Sequence, residues 1–390
     1  MTGTVAVVGA SLAGLSAARA LRAQSFDGRI VVIGDEVHAP YDRPPLSKDF
    51  LAGVASRGDL DLEAPDDAGL GLDWRLGVAA VGLDPRGRAV QLADGSEVRA
   101  DGVVLATGAR ARRLPGTESL AGVHVLRTVD DAVALGTELR PGAHLVVIGA
   151  GFIGAEVAST ARTLGLEVTV VEGLPVPLAG PLGVQLGAIC AALHADSGTR
   201  LITGTGVARL VGTGRVEAVE LADGRRLPAD VVLVGIGAQP NVEWLQGSGL
   251  ELAGGVVTDQ YGATAIPEVV AAGDCAIAWS PTAGSHRRVE HWTHALEFPA
   301  TAVATLLGAA APPPPLPYFW SDQYGTRIQF AGSRQPGDGV RIVEGDPADR
   351  SFLAVYERAG QAVAVLGMNQ PRLFTRWRRQ LRAAAVPTAP

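Results

Sequence analysis

Lysine is almost missing from this chain: of its 33 basic residues all but Lys48, in "YDRPPLSKDF" (41–50), are arginine. Cysteine is scarce as well. Cys190 and Cys275 are the only two in 390 residues and stand far apart, which excludes a CxxC dithiol and a thiolate metal site. His286, His291 and His294 fall near one another, but their spacings of five and three with no cysteine nearby make no ligand set, so no metal is expected. A net charge of −7 argues against nucleic acid as the main partner.

Long apolar runs are few, and two imitate membrane or export signals. "MTGTVAVVGASLAGLSAARAL" at the N-terminus has no basic residue before its apolar stretch, unlike a signal peptide. Residues 298–317, "FPATAVATLLGAAAPPPPLP", carry no charge over a length that spans a bilayer. Pro312–Pro315 ends any helix there, so a short helix followed by a stiff connector is expected. The expectation is a soluble, cytoplasmic protein without membrane contact.

The abundant residue is glycine, 50 in all, in a chain that is 47% hydrophobic, which suits an α/β protein of two or three domains. The chain repeats itself. "LADGSEVRADGVVLATGAR" (92–110) is echoed by "LADGRRLPADVVLVGIGAQ" (221–239), each a D-G hairpin turn, a short strand, a β-branched strand and a glycine turn. Upstream of each copy stands a strand, a glycine turn and an alanine-rich helix, from Val5 and from Leu145. A repeat of this length predicts two related dinucleotide-binding domains.

The second glycine motif is complete: Gly149, Gly151 and Gly154 follow the strand "LVVI" and open a helix. Its glycines admit a pyrophosphate onto the helix N-terminus, and Glu172, closing the strand "EVTVVE", is placed to accept from a ribose hydroxyl. In the first motif Gly9, Ser11 and Gly14 hold the three positions, with a serine where glycine is usual. Asp35 or Glu36 follows the strand "RIVVI"; Asp35 is preferred because Gly34 allows a turn that directs it inward.

"YDRPPLSK", "LATGARARRLPG", "AAGDCA" and "FWSDQY" together resemble the NADH-dependent, FAD-containing ferredoxin reductases that serve Rieske-type oxygenases and bacterial cytochromes P450. The resemblance spans nearly the whole chain. It implies two Rossmann-like α/β domains and a smaller α+β C-terminal domain. The FAD domain is discontinuous, 1–112 and 238–312; the NAD domain is 113–237, and the third domain is 313–390. It implies FAD and NADH as cofactors and a [2Fe-2S] ferredoxin as acceptor, which in turn feeds a cytochrome P450 or a Rieske oxygenase.

The resemblance answers for the lone lysine, placing Lys48 at the flavin edge, paired with Glu156. A compact ammonium there stabilises negative charge gained by the ring, whereas a wider guanidinium forks onto its carboxylate. Glu156, read in the first turn of its helix, also complements the helix dipole. Toward FAD the implied set is Gly9, Ser11, Ala13, Gly14, Asp35, Arg43, Lys48, Ala80, Arg127, Asp274 and Trp292. Toward NAD it is Gly149, Gly151, Ile153, Gly154, Glu172, Gly237, Glu290 and Trp320. Trp292 and Trp320 read equally as core residues, and Asp274 also as a helix cap.

Acceptor docking is expected on positive charge, at Arg110, Arg112 and Arg113 or at Arg372–Arg382, the latter also readable as an ordinary amphipathic helix. Two other readings stay open: an NADH oxidase, which needs a flavin-facing cysteine that the sequence does not supply, and a redox-sensing flavoprotein acting through a partner.

Overall fold

The computed structural model describes residues 3–117 and 119–385; the expected outer domain ends, residues 1–2 and 386–390, lie outside them. Among the described residues the α-helices are α1 (Leu12–Ala23), α2 (Val129–Gly136), α3 (Phe152–Thr163), α4 (Ala179–Asp196), α5 (Trp292–Leu306) and α6 (Pro371–Ala385).

The sequence repeat becomes a structural one. In one five-stranded parallel sheet the order is 269–271, 102–105, 4–8, 29–33, 72–75. In the other it is 123–124, 231–234, 144–148, 167–172, 200–203, also parallel. Their central strands are nearly all Val, Ile and Leu because both faces are covered, as parallel sheets require. Register is repeated too, with Val8 opposite Ile33 in one and Ile148 opposite Val171 in the other.

Each D-G dipeptide closes an antiparallel hairpin, with Gly95 at φ +84° and Gly224 at φ +86°. The hairpins belong to three-stranded antiparallel sheets, 80–99 and 207–228. The chain passes between the two halves at 109–111 and 238–240, which pair antiparallel.

Residues 318–368 form a five-stranded antiparallel sheet. One face packs on α6 through Phe374 and Leu381, the other on α4 through Leu182, Leu186, Cys190 and Leu193. α5 ends at Leu306, ahead of the proline run, and no described helix is long and apolar enough to cross a membrane.

Candidate active site

The two glycine turns are built alike. Gly9 has φ +121° and Gly149 φ +102°, and a Cβ at either would stand 2.0 or 2.3 Å from a carbonyl of the neighbouring strand's end, Ala106 or Gly235. Only glycine fits both constraints. Gly14 and Gly154 bring each helix against its own turn, where a Cβ would meet the Gly9 or Gly149 carbonyl at 1.8 or 2.2 Å. At Gly151 a Cβ meets nothing within 4 Å, so the middle of the second turn faces open space.

Neither Ser11 nor Gly151 caps its helix through a side chain, and neither helix has an acid in its first turn. Both helices therefore present uncapped N–H groups and the positive end of the dipole, the donor set that a pyrophosphate needs. The residues present fit two dinucleotides.

Around the first turn stand two guanidiniums. Arg43 donates to Glu36 at 2.6 Å, to the Arg127 carbonyl at 2.7 Å and to Ser11 Oγ at 3.4 Å. Arg127 holds Asp274 at 2.6 Å. Gly273, at φ +74°, lets that segment approach Ala13. Asp35 does not turn inward: it is exposed, and the inward acid is Glu36, which also accepts from the Tyr41 hydroxyl at 2.5 Å. Gly34 stands where Glu172 stands in the other sheet, and a Cβ on it would strike Ala10, so the chain turns one residue later.

Around the second turn, Glu172 accepts from the N–H groups of Ala150 and Leu174, which aims its carboxylate at the turn. Ile153, 46% exposed, and Ile236 and Leu174, also exposed, are apolar side chains flanking the same motif. Gly237, at φ +98°, accepts from Arg112 N–H. Ala80 begins the first antiparallel sheet and packs beneath it on a cluster with Leu83 and Leu92.

Lys48 and Glu156 meet. The ammonium lies 2.5 Å from the carboxylate, which is buried and also accepts from Ser47 Oγ at 2.5 Å, Ser321 Oγ at 2.7 Å and the Asp322 N–H at 3.3 Å. Glu156 sits in the second turn of α3, not the first, so its charge answers the lysine rather than the helix dipole. Four donors on one carboxylate satisfy its burial. Lys48 is held by the 3-10 turn Pro44–Ser47, whose prolines set the backbone ahead of it. Ser47 and Ser321 were not singled out from sequence, although each lies inside a quoted motif, "PPLSK" and "FWSDQ".

The two tryptophans of the expected set come together. Trp292, the first residue of α5, donates its indole N–H to Asp42 at 2.6 Å and stands edge-on to Trp320 at 5.7 Å. Trp320 stacks on Tyr318, and the Arg378 guanidinium of α6 lies 4.0 Å from the Tyr318 ring centre. Glu290 is paired with Arg288 at 2.9 Å on the approach to α5. Cys190 and Cys275 are both free and buried, and burial pushes the Cys190 thiol up to about 12.

Of the expected docking arginines, Arg110 is neutralised by Glu243 at 2.6 Å and Arg112 donates to the Ala238 carbonyl. Arg372, Arg376, Arg379 and Arg382 are exposed on α6 and form no ion pair among the described residues.

Known proteins match this arrangement along its length. Residues 3–297 match a family described as pyridine nucleotide-disulphide oxidoreductase, and residues 318–390 one described as reductase C-terminal. The ferredoxin–NAD(+) reductase component of a biphenyl dioxygenase system from Paraburkholderia xenovorans (strain LB400) is 43% identical, over 96% of this chain and 92% of that protein. The ferredoxin reductase component of a chlorobenzene dioxygenase from Cupriavidus sp. (strain PS12) is 40% identical, over 98% and 93%. The structure of a covalent putidaredoxin reductase–putidaredoxin complex superposes with a TM-score of 0.93 at 33% identity, over 97% of this chain and 92% of that one. The chain belongs to the pyridine nucleotide-disulphide oxidoreductase family, among the ferredoxin reductases of the oxygenase-coupled type.

Proposed function

We propose that this protein carries reducing equivalents from NADH, through FAD, to a [2Fe-2S] ferredoxin that supplies a Rieske-type oxygenase or a cytochrome P450. The observation that carries the reading is the Lys48–Glu156 pair, set between two glycine turns of matching geometry. Bound FAD supplies the conversion between a two-electron hydride donor and a one-electron acceptor.

The chain's own residues bind, orient and shield. α1, with Arg43 and Arg127 beside it, holds the FAD pyrophosphate, and Glu36, the inward acid, the neighbouring ribose. α3 holds the NADH pyrophosphate, and Glu172 a ribose hydroxyl. Lys48 is a point charge that its four-donor carboxylate keeps in one place, preorganised for negative charge in the cleft. Trp292 and Trp320 keep water out. We read three units, 1–112 with 238–312, 113–237 and 313–390; that each parallel sheet draws all its strands from one of the first two, and the C-terminal antiparallel sheet from the third, supports this division.

The acceptor docks on α6. Its unpaired arginines are the positive charge that an acidic ferredoxin needs, and Tyr318 and Trp320 run from beneath Arg378 to the cleft. A cytoplasmic location belongs to this reading: it rests on the use of NADH and on two buried thiols left unpaired.

The test is the absorption spectrum of the purified protein before and after anaerobic NADH, then cytochrome c turnover with and without added [2Fe-2S] ferredoxin. A flavin spectrum bleached by NADH and turnover dependent on ferredoxin are expected. A colourless protein, or turnover indifferent to ferredoxin, overturns the reading.

A further inference from the structure

Two imidazoles in the cleft have no task in this reading. His291 is the residue before α5 and His294 lies in its first turn. The Nδ1 atom of each is closed off from solvent, and neither has a hydrogen-bond partner among the described residues. Orphaned buried nitrogens are rare in native proteins, and two within one helical turn ask for an occupant or a proton.

Both rings are fixed by packing. His291 lies against Phe319, centroids 4.9 Å apart, and Phe319 against Phe152 at 4.7 Å, the residue next to Gly151 in the second glycine turn. His294 is stacked on Phe298 at 4.6 Å and 18°. On the other side both feel the carboxylate of Asp274, the acid held by Arg127 beside the first turn. The pair is thus tied by packing to the second dinucleotide turn and by charge to the acid beside the first.

We propose that His291 and His294 form a proton acceptor for the flavin site, taking up one proton from solvent when bound FAD is reduced. This rests on FAD occupying the cleft as read above. The balance is simple: NADH gives up a hydride, whose two electrons and one hydrogen go to the flavin, and a second proton from water bonds to an imidazole nitrogen. The added negative charge in the cleft is then matched by an added positive one.

Before reduction the pair is neutral. Burial holds both imidazoles at about 4, and His291 further disfavours charge on His294. Asp274 pulls the other way, but Arg127 already matches its charge. On the residues flanking the pair in the chain, Glu290 is matched by Arg288, and Asp42 is bound by the Trp292 indole. Phe319, Phe152 and Phe298 bring none. An unmatched negative charge arriving in the same cleft raises the affinity for a proton by roughly one to three pKa units. That moves the pair from neutral to half or more protonated near pH 6.

The test is the midpoint potential of bound FAD from pH 5 to 7, in the parent and in His291→Gln/His294→Gln. For a two-electron couple each proton taken up contributes about 30 mV per pH unit. The parent is expected to approach about 60 mV per pH unit at the acid end, and the double variant to stay near 30 mV. A parental slope of about 30 mV throughout, or a double variant that keeps the parental slope, overturns the proposal. Should the double variant lose its flavin, the parent alone decides. Electrode reduction at pH 5.5 is expected to take up more than one proton per flavin while the absorption remains that of anionic reduced flavin. One proton, or a neutral reduced-flavin spectrum, refutes it. A protein that binds no FAD refutes the reading of the cleft itself, whereas bound FAD with a single-proton slope refutes only the histidine pair.

Discussion

Lys48 and Glu156 are 108 residues apart in the chain, and their side chains meet at 2.5 Å inside the protein. The lysine is 19% exposed and the glutamate 4%, so one partner keeps contact with the cleft while the other is sealed behind it. In the proposed function the glutamate positions and the ammonium faces the flavin.

Replacing the lysine separates these roles. In Lys48→Ala the carboxylate keeps three donors, so the protein folds and binds FAD, but flavin reduction by NADH slows by about 10²–10³, as for loss of one preorganised charge near a reacting group. Lys48→Arg is also slow, since a guanidinium cannot occupy the same point. Anaerobic stopped-flow bleaching measures both; a parental rate in Lys48→Arg shows that the ammonium is not required.

NADH is preferred over NADPH. Glu172 is pinned toward the second turn by two backbone N–H groups, and Gly173, Leu174 and Pro175 bring no arginine. A 2′-phosphate beside that carboxylate costs about 1–3 kcal/mol, a ratio of roughly 5–150 in kcat/KM. Equal values for the two nucleotides would remove Glu172 from the ribose site.

Ferredoxin reduction falls with ionic strength while ferricyanide reduction does not, because exposed charge is screened over about 8–10 Å at ordinary salt. Arg376→Glu/Arg379→Glu lowers ferredoxin turnover at low salt, and Arg112→Glu/Arg113→Glu does so less. The reverse ranking would move the docking face off α6.

Acid weakens the fold through His194. It is buried, with Nδ1 2.9 Å from Tyr324 Oη, and burial holds its imidazole at about 4. The unfolded chain binds this proton near pH 6.5, so the stabilising effect is complete above about 6.5 and is lost as pH falls toward 4. The loss is about 3 kcal/mol by linkage. Melting temperature measured between pH 7 and 4 should fall more steeply in the parent than in His194→Gln; parallel curves would show that this imidazole is free to titrate in the folded state.

Much of this was legible in the residues. The paired glycine motifs and D-G turns spell out local backbone geometry, so both parallel sheets and their hairpins could be read from spacing. Lys48 and Glu156 were joined only through resemblance, since no periodicity links residues 108 apart. The sequence favours Asp35 over Glu36 as the inward acid, but the choice depends on Ala10, which sits across the turn and blocks a side chain at Gly34. In the sequence His286, His291 and His294 show only spacings that make no metal-ligand set, and nothing marks out the His291–His294 pair. What distinguishes it is the absence of partners in three dimensions, which a sequence does not display.

The donors around Glu156 come from two widely separated stretches, residues 47–48 and residues 321–322. Ser321 leaves the ribosome 165 residues after Glu156, which at about 5–20 residues per second is a delay of roughly 8–33 s. Until then a nascent chain can hold a folded nucleotide turn but not a finished carboxylate cage. The lysine is therefore locked only when the last part of the chain has docked, and an unfinished polypeptide cannot present its charge in working order.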